Sequence, residues 1–252
     1  MRPISIVMPV LGQSKYTQSF FETFYKTVTE EYELIVINNG KDKETKDLLA
    51  EQVSKNTKIK VIENEENTGV SASWNQGIKE SEYDYICIVN NDIEFLSMSW
   101  LSEMQKTIDK IPNVYWTSPT TSYTKDPKKQ CFKIHHYEQL RYGNHMNDSF
   151  APYIVGCCFM CPRKAFDDIG LFDEDFDIKY YEDLDFINRI LQSKNRLMMT
   201  RPALIYHAVG ATSRITPGGG DNESYYKKKW GNSKFEILSK QPPRIKSAKH
   251  FS

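Results

Sequence analysis

An α/β fold with a mostly parallel central sheet flanked by helices follows from three observations. Short apolar runs rich in Ile and Val alternate with segments of helical spacing through the first 118 residues. Those runs are continuous, instead of alternating apolar with polar, which is the pattern of strands covered on both faces. A chain of 252 residues, 39% hydrophobic and 13% aromatic, can bury a substantial core as one large domain or two small ones.

The first run, ISIVMPV from Ile4 to Val10, is a buried strand ending near Pro9. Phe20, Phe21, Phe24, Tyr25 and Val28 then recur at helical spacing. ELIVIN, Glu33 to Asn38, is the second strand, closed by Asn38-Asn39-Gly40. A charged helix from about Asp42 to Ser54 precedes the strand KIKVIE (Lys58 to Glu63), a helix from about Val70 to Glu80 and the strand YDYICIVN (Tyr83 to Asn90). VYWTSP gives a fifth strand, and Thr120 to Ser149 reads as a long irregular insertion. YIVGCCFMC (Tyr153 to Cys161) is another apolar strand. PRKAFDDIG is a short helix started by Pro162 and stopped by Gly170. The next helix carries Leu184, Ile187 and Leu191 on one face, with Glu182 and Asp185 on another. RLMMTRPALIYH runs extended to His207, and Gly218-Gly219-Gly220 marks a surface loop or a moving flap.

Lys plus Arg equals Asp plus Glu at 33 each, so net charge gives no reason to expect nucleic acid as a partner. The basic residues after Ser224, from Lys227 to Lys249, form a solvated tail able to touch an anionic glycan, a diphosphate or a membrane surface peripherally. No apolar run approaches the roughly 20 residues of a membrane helix, so neither export nor membrane spanning is expected. Cys87, Cys157, Cys158 and Cys161 lie in apolar surroundings among five cysteines, as reduced thiols in a cytoplasmic protein do. The C-x-x-C of Cys158 and Cys161 has no second pair and no nearby histidine to make it a zinc site.

Two features carry chemistry. Ligands of open parallel sheets gather beyond the carboxyl ends of the strands, and there stand Pro9-Val10-Leu11, Asn38-Asn39-Gly40 and Asn90-Asn91-Asp92. Neither G-x-G-x-x-G nor a G-x-x-x-x-G-K phosphate loop follows any strand, which removes the main support for ordinary dinucleotide or ATPase readings. The second feature is FDIKYYEDLDFINR, Phe176 to Arg189, which sets Glu182, Asp183 and Asp185 at the front of an amphipathic helix. Acidic first turns are common because they suit the helix dipole. Asp185 and Arg189 have the spacing of a pair that anchors the helix, with no catalytic part.

In order, the pieces are ISIVMPV, ELIVINNG, NTGVSASWNQG, YICIVNNDIEF, GCCFMCPRKAFDDIGLFDEDF, YYEDLDFINR and ALIYHAVGATS. Together they resemble the nucleotide-sugar glycosyltransferases of the GT-A (Rossmann-like) fold, family two, most closely its rhamnosyltransferase-like members. The resemblance runs from Ile4 to about Trp230. It implies a nucleotide-sugar-binding half at 1–118 and an acceptor-binding, catalytic half with a C-terminal tail at 119–252, within one continuous domain. Pro9, Val10, Leu11 and Asn38 would frame the nucleotide base, with Asn67 and Gly69 beside the nucleoside. Asn90-Asn91-Asp92 stands where the family has D-x-D, so Asn90 brings an amide in place of a charge. Asp92 and His207 would hold a divalent cation, Mn²⁺ or Mg²⁺. Asp183 would be the base that deprotonates the acceptor hydroxyl, Glu182 would orient the acceptor, and Tyr181 and Trp230 would stack on its sugar.

The resemblance therefore implies an inverting transfer of a hexose from a UDP- or dTDP-type sugar to a hydroxyl of a glycan or lipid-linked glycan, serving polysaccharide biosynthesis. Two alternatives stay open at this level. A sugar-phosphate nucleotidyltransferase would need a Gly-rich, Arg-bearing loop after the first strand, where LGQSKYTQ offers only Gly12 and Lys15. A non-catalytic glycan-binding relic would have lost Asp92, Asp183 or His207, and all three are present.

Overall fold

The computed structural model describes residues 1–122, 156–208 and 220–231, and the backbone of 137–139 and 150–151. Most of the 120–149 insertion, the start of the 153–161 strand, Gly218, Gly219 and the tail beyond residue 231 lie outside the described residues.

The first half is a run of strands and crossover helices: β1 (Ile4–Val10), α1 (Ser14–Thr27), β2 (Tyr32–Asn38), α2 (Lys43–Lys55), β3 (Ile59–Glu63), α3 (Gly69–Glu80) and β4 (Tyr85–Val89). β1 pairs parallel with β2 and β4, and β2 with β3. Alternate side chains of each strand enter different cores. Ile4, Ile6, Met8 and Val10 of β1 join Leu34 and Val36 of β2 in one core with the α1 phenylalanines. Val7, Ile35 and Ile37 join Trp74 and Ile78 of α3 in the other. Two covered faces explain the unbroken apolar runs. α2 starts where Asp42 accepts the Thr45 backbone N–H at 2.9 Å. α3 lies so close to β1 that a Cβ at Gly77 would fall 2.2 Å from Val7 Cγ1.

The second half is mixed in direction. It holds β5 (Ile93–Phe95), α4 (Trp100–Lys110), β6 (Val114–Ser122), β7 (Tyr137–Gln139), β8 (Phe150–Ala151), β9 (Cys158–Pro162), α5 (Arg163–Ile169), α6 (Glu182–Gln192), β10 (Arg196–His207) and α7 (Asn222–Trp230). The sheet runs β3-β2-β1-β4-β9-β6-β10-β5, with β7 beside β10 and β8 beside β6. β9 is antiparallel to both β4 and β6, whereas β6 and β10 are parallel. One sheet thus joins both halves of the chain.

α6 lies on an aromatic layer in which Trp116 stacks on Phe159 with ring centroids 3.6 Å apart and Phe172 meets Phe186 at 4.5 Å. Its fully buried apolar residues are Phe186, Ile187 and Ile190, while Leu184 and Leu191 pack only in part. The inward face is therefore rotated from the expected Leu184-Ile187-Leu191 stripe. Asp185 and Asn188 are also fully buried, because α7 covers that flank. The Asn188 amide bonds the Tyr226 hydroxyl, and the Trp230 indole N–H bonds Asp185.

Candidate active site

The carboxyl ends of β1 and β4, with the loop after β2, open into a cleft of about 300 Å³. Pro9, Val10 and Leu11 form one wall, and Asn67 with Gly69 and Val70 the adjoining one. At the β4 end come Asn90, Asn91 and Asp92, and Glu182 and Asp183 line the same cleft. His207 completes the ring of polar groups.

Sheet register brings His207 beside Asp92. β5 pairs antiparallel with β10, His207 opposite Ile93, and the Ala208 backbone N–H bonds Asp92 O at 3.0 Å. That places His207 Nε2 3.2 Å from Asp92 Oδ1. Burial opposes a charged imidazole there, but the Cys157 sulfur and the Asp92 carboxylate outweigh it and raise the His207 pKa to about 10. Among the described residues no three His, Cys, Asp or Glu side chains come together as a metal cage. One carboxylate and one imidazole, both on the cleft, nonetheless suit a cation whose other ligands come from substrate phosphates. Such a cation competes with the imidazole proton.

The two carboxyl groups at the front of α6 differ. Asp183 Oδ2 accepts the Gly156 backbone N–H at 3.1 Å, and Oδ1 accepts the Leu184 N–H at 2.8 Å. Glu182 is only 7% exposed, and its Oε2 meets no hydrogen-bond donor among the described residues. Burial first, and then the neighbouring Asp183 charge, raise the Glu182 pKa to about 8.

The family model described as Glycosyl transferase family 2 matches residues 5–170. The chain belongs to that family. Its curated relatives include an uncharacterized protein of Sinorhizobium fredii, 20% identical over 83% of this chain and 25% of its own length. An uncharacterized glycosyltransferase of Rickettsia felis is 24% identical over 68% of this chain and 29% of its own. Another, of Rickettsia prowazekii, is 26% identical over 72% and 56% respectively. The chain thus spans about a quarter to a half of the length of these relatives. Two solved structures share the GT-A fold. GalNAc-T7 with UDP, GalNAc and Mn²⁺ superposes with a TM-score of 0.69 at 16% identity, over 90% of this chain and 48% of that one. The Pyrobaculum calidifontis mannosyltransferase PcManGT with GDP-Man and Mn²⁺ gives 0.62 at 11%, over 94% and 73%.

Three residues carried over from the family stand away from the cleft lining. Asn38 is fully buried, donating to Glu63 at 2.9 Å and accepting the Gly40 N–H at 3.0 Å. Its neighbour Asn39 lines the cleft instead, its amide bonding Ser73 Oγ at 2.7 Å. The Tyr181 ring lies 5.3 Å from that of Tyr226 on α7. The Trp230 indole N–H bonds Asp185 Oδ1 at 2.8 Å, so that the side chain ties α7 to α6. Lining residues given no role in the sequence reading of the site include Val70, Ser73, Gly156, Cys157, Ile178 and Lys179. Lys179 alone had a usable signal, a cation three residues before Glu182.

Proposed function

We propose that this family 2 protein is an inverting glycosyltransferase, moving a sugar from a UDP- or dTDP-type donor to a hydroxyl of a glycan or lipid-linked glycan. The observation that carries the reading is the shared cleft, where strand-end residues Pro9 to Leu11 and Asn90 to Asp92 face Asp183 and His207.

The nucleoside would lie on the β1 and β2 side, against Pro9 to Leu11 and Asn67, with Asn39 reached in place of Asn38. The 1–118 half would thus serve the donor and the 119–252 half the acceptor. Asp92 and His207 would hold Mn²⁺ or Mg²⁺. When bound, the cation would offset the negative charge that grows on the departing diphosphate. GalNAc-T7 and PcManGT, both complexed with Mn²⁺, support that choice. Asp183 would take the acceptor proton as the hydroxyl attacks, a contribution of about 10²–10⁴ in rate. A single base facing the acceptor suits one in-line displacement, hence inversion at the anomeric carbon. Glu182 would orient the acceptor in its neutral form. Tyr181 and Trp230 would serve the acceptor indirectly, by fixing α6 and α7. A rhamnosyltransferase-like donor choice, a place in polysaccharide biosynthesis and work in the cytoplasm belong to the same proposal. Four buried free thiols suit that compartment, and no described helix is long and apolar enough to cross a membrane.

A thermal-shift screen of UDP-, dTDP- and GDP-sugars, with and without Mn²⁺, tests the donor side through ligand-linked stabilisation. Stabilisation by one nucleotide class, increased by Mn²⁺, is expected. No shift with any nucleotide sugar would refute the reading, and release of pyrophosphate from a nucleoside triphosphate with a sugar phosphate would favour a nucleotidyltransferase.

A further inference from the structure

The cleft wall leading into Glu182 and Asp183 has a backbone that its sequence disfavours. Ile178, Tyr180 and Tyr181 have φ of 33°, 78° and 75°, the region L residues other than Gly, Asn and Asp rarely occupy. Strain of this kind persists only where the surroundings hold it. One side chain from α7 bonds this segment repeatedly. Asn222 is 5% exposed, and its Oδ1 accepts the Asp177 N–H at 2.9 Å. Its Nδ2 donates to Asp177 O at 2.7 Å, Lys179 O at 2.9 Å and Tyr180 O at 3.2 Å. From the other side, Val70 N–H reaches Ile178 O at 2.7 Å. The approach there is close, since a Cβ at Gly69 would lie 3.0 Å from Ile178 Cα.

We propose that Asn222 is a positioning residue: by clamping to α7 the 177–180 backbone, left-handed at Ile178 and Tyr180, it fixes the cleft wall of Ile178 to Tyr180 and, just beyond Tyr181, the carboxylates that begin α6. A side-chain amide is the group this task needs, because its oxygen accepts an N–H while its two hydrogens reach carbonyls of the same short segment. The clamp rests on the glycosyltransferase reading for its effect on turnover but not for its effect on the segment. Asn222 itself touches no residue of the β1 and β2 wall, but the segment it holds packs on Gly69 and Val70, so its loss should weigh more on turnover than on nucleotide binding.

The test compares wild type with Asn222→Ala, Asn222→Asp and Asp221→Ala. Asn222→Asp keeps the acceptor for Asp177 N–H and loses the donor. Asp221→Ala removes only the cap of α7, where Asp221 accepts the Ser224 N–H at 3.1 Å. Hydrogen exchange is read at residues 177–183 and in β1, β2 and β4. Faster exchange confined to 177–183 in both Asn222 variants, with Asp221→Ala near wild type, supports the clamp. Unchanged exchange at 177–183 overturns it, and so does an equal effect of Asp221→Ala, which would assign the order to α7 docking alone. In the transfer assay kcat should fall on the order of 10²-fold, as a misplaced reacting group predicts. UDP affinity, measured by calorimetry, should fall by far less than kcat; a loss of UDP affinity equal to the loss of kcat would overturn the assignment. Should wild type itself transfer no sugar, the function proposed above fails while the exchange data still decide the clamp.

Discussion

Glu182→Gln should make the protein more stable at neutral pH and flatten its dependence on pH. A carboxyl raised from the ordinary 4.5 to about 8 binds its proton more tightly in the folded state than in the unfolded one. Its contribution is therefore complete below pH 4.5 and is lost as pH rises through 8. Each pH unit in that window removes about 1.4 kcal/mol, so neutral pH stands roughly 3 kcal/mol below the acid limit for this group. Glutamine has nearly the same shape, stays neutral, and needs no proton taken from solution. The gain at pH 7 should be roughly 2–3 kcal/mol, less whatever hydrogen bonding the amide fails to satisfy in a pocket where Oε2 meets no described donor. Urea denaturation of both proteins at half-unit steps from pH 5 to 8.5 measures it. The wild-type free energy should fall with pH relative to the variant, the two curves diverging steadily. Parallel curves would show that Glu182 is ionised in the folded protein and would refute the assignment of a neutral carboxyl. Asp183→Asn should shorten the window from its upper end, because the Asp183 charge is the second cause of the shift.

Asp183→Asn should also lower kcat at least about 10²-fold while UDP-sugar affinity, read by thermal shift, persists; normal turnover would remove Asp183 from the role of base. Gly156→Ala should act on the same carboxylate by contact alone. Its Cβ would lie 3.0 Å from Asp183 Oδ2 and 3.1 Å from Trp74 Cη2, costing about 1–3 kcal/mol of stability and lowering kcat more than donor affinity, as steady-state kinetics would report. Mn²⁺ affinity by calorimetry should fall as pH is lowered, by about tenfold per unit if one proton is displaced, because the His207 imidazole holds a proton with a pKa of about 10. His207→Ala should abolish that pH dependence together with most of the affinity.

The sequence makes the β1, β2 and β4 side of the cleft plain for a simple reason. β1, β2 and β4 are buried on both faces, so each announces itself as an unbroken apolar run, and residues at or just past the end of each run reach the cleft. Asn38 and Asn39 mark the resolution of that argument. Strand ends locate a loop, but only side-chain direction separates the residue bonding Glu63 from the one facing the cleft. Other elements gave less. α4, with buried Trp100, Leu101 and Met104, is masked in the sequence by the clearer strands on either side of it. β5 is three residues long, too short for a period. α7 is held by polar contacts to Asp173, Asp185 and Asn188, so it lacks the apolar stripe that helices usually show. Left-handed conformations are read from Gly or Asn, and Ile178, Tyr180 and Tyr181 are neither.

Three acids crowd the front of α6, and helix electrostatics alone would treat them alike. The surroundings do not. Asp185 has no exposure and is bonded by Arg189 at 2.9 Å, Trp230 at 2.8 Å and Lys229 at 2.8 Å, so its charge is committed to joining α6 with α7. Glu182 is buried on a wall that raises its pKa to about 8, which makes it a neutral group at physiological pH. Asp183 meets backbone N–H groups at Gly156 and Leu184, contacts that suit an anion, and it opens on the cleft shared with Asp92 and His207. A helix start needs negative charge near it, but it does not need one acid locked in ion pairs, one buried without a donor and one bonded to backbone N–H groups on a cavity. That division of surroundings among neighbouring carboxyls supports the proposed role of Asp183 as base over that of a helix cap.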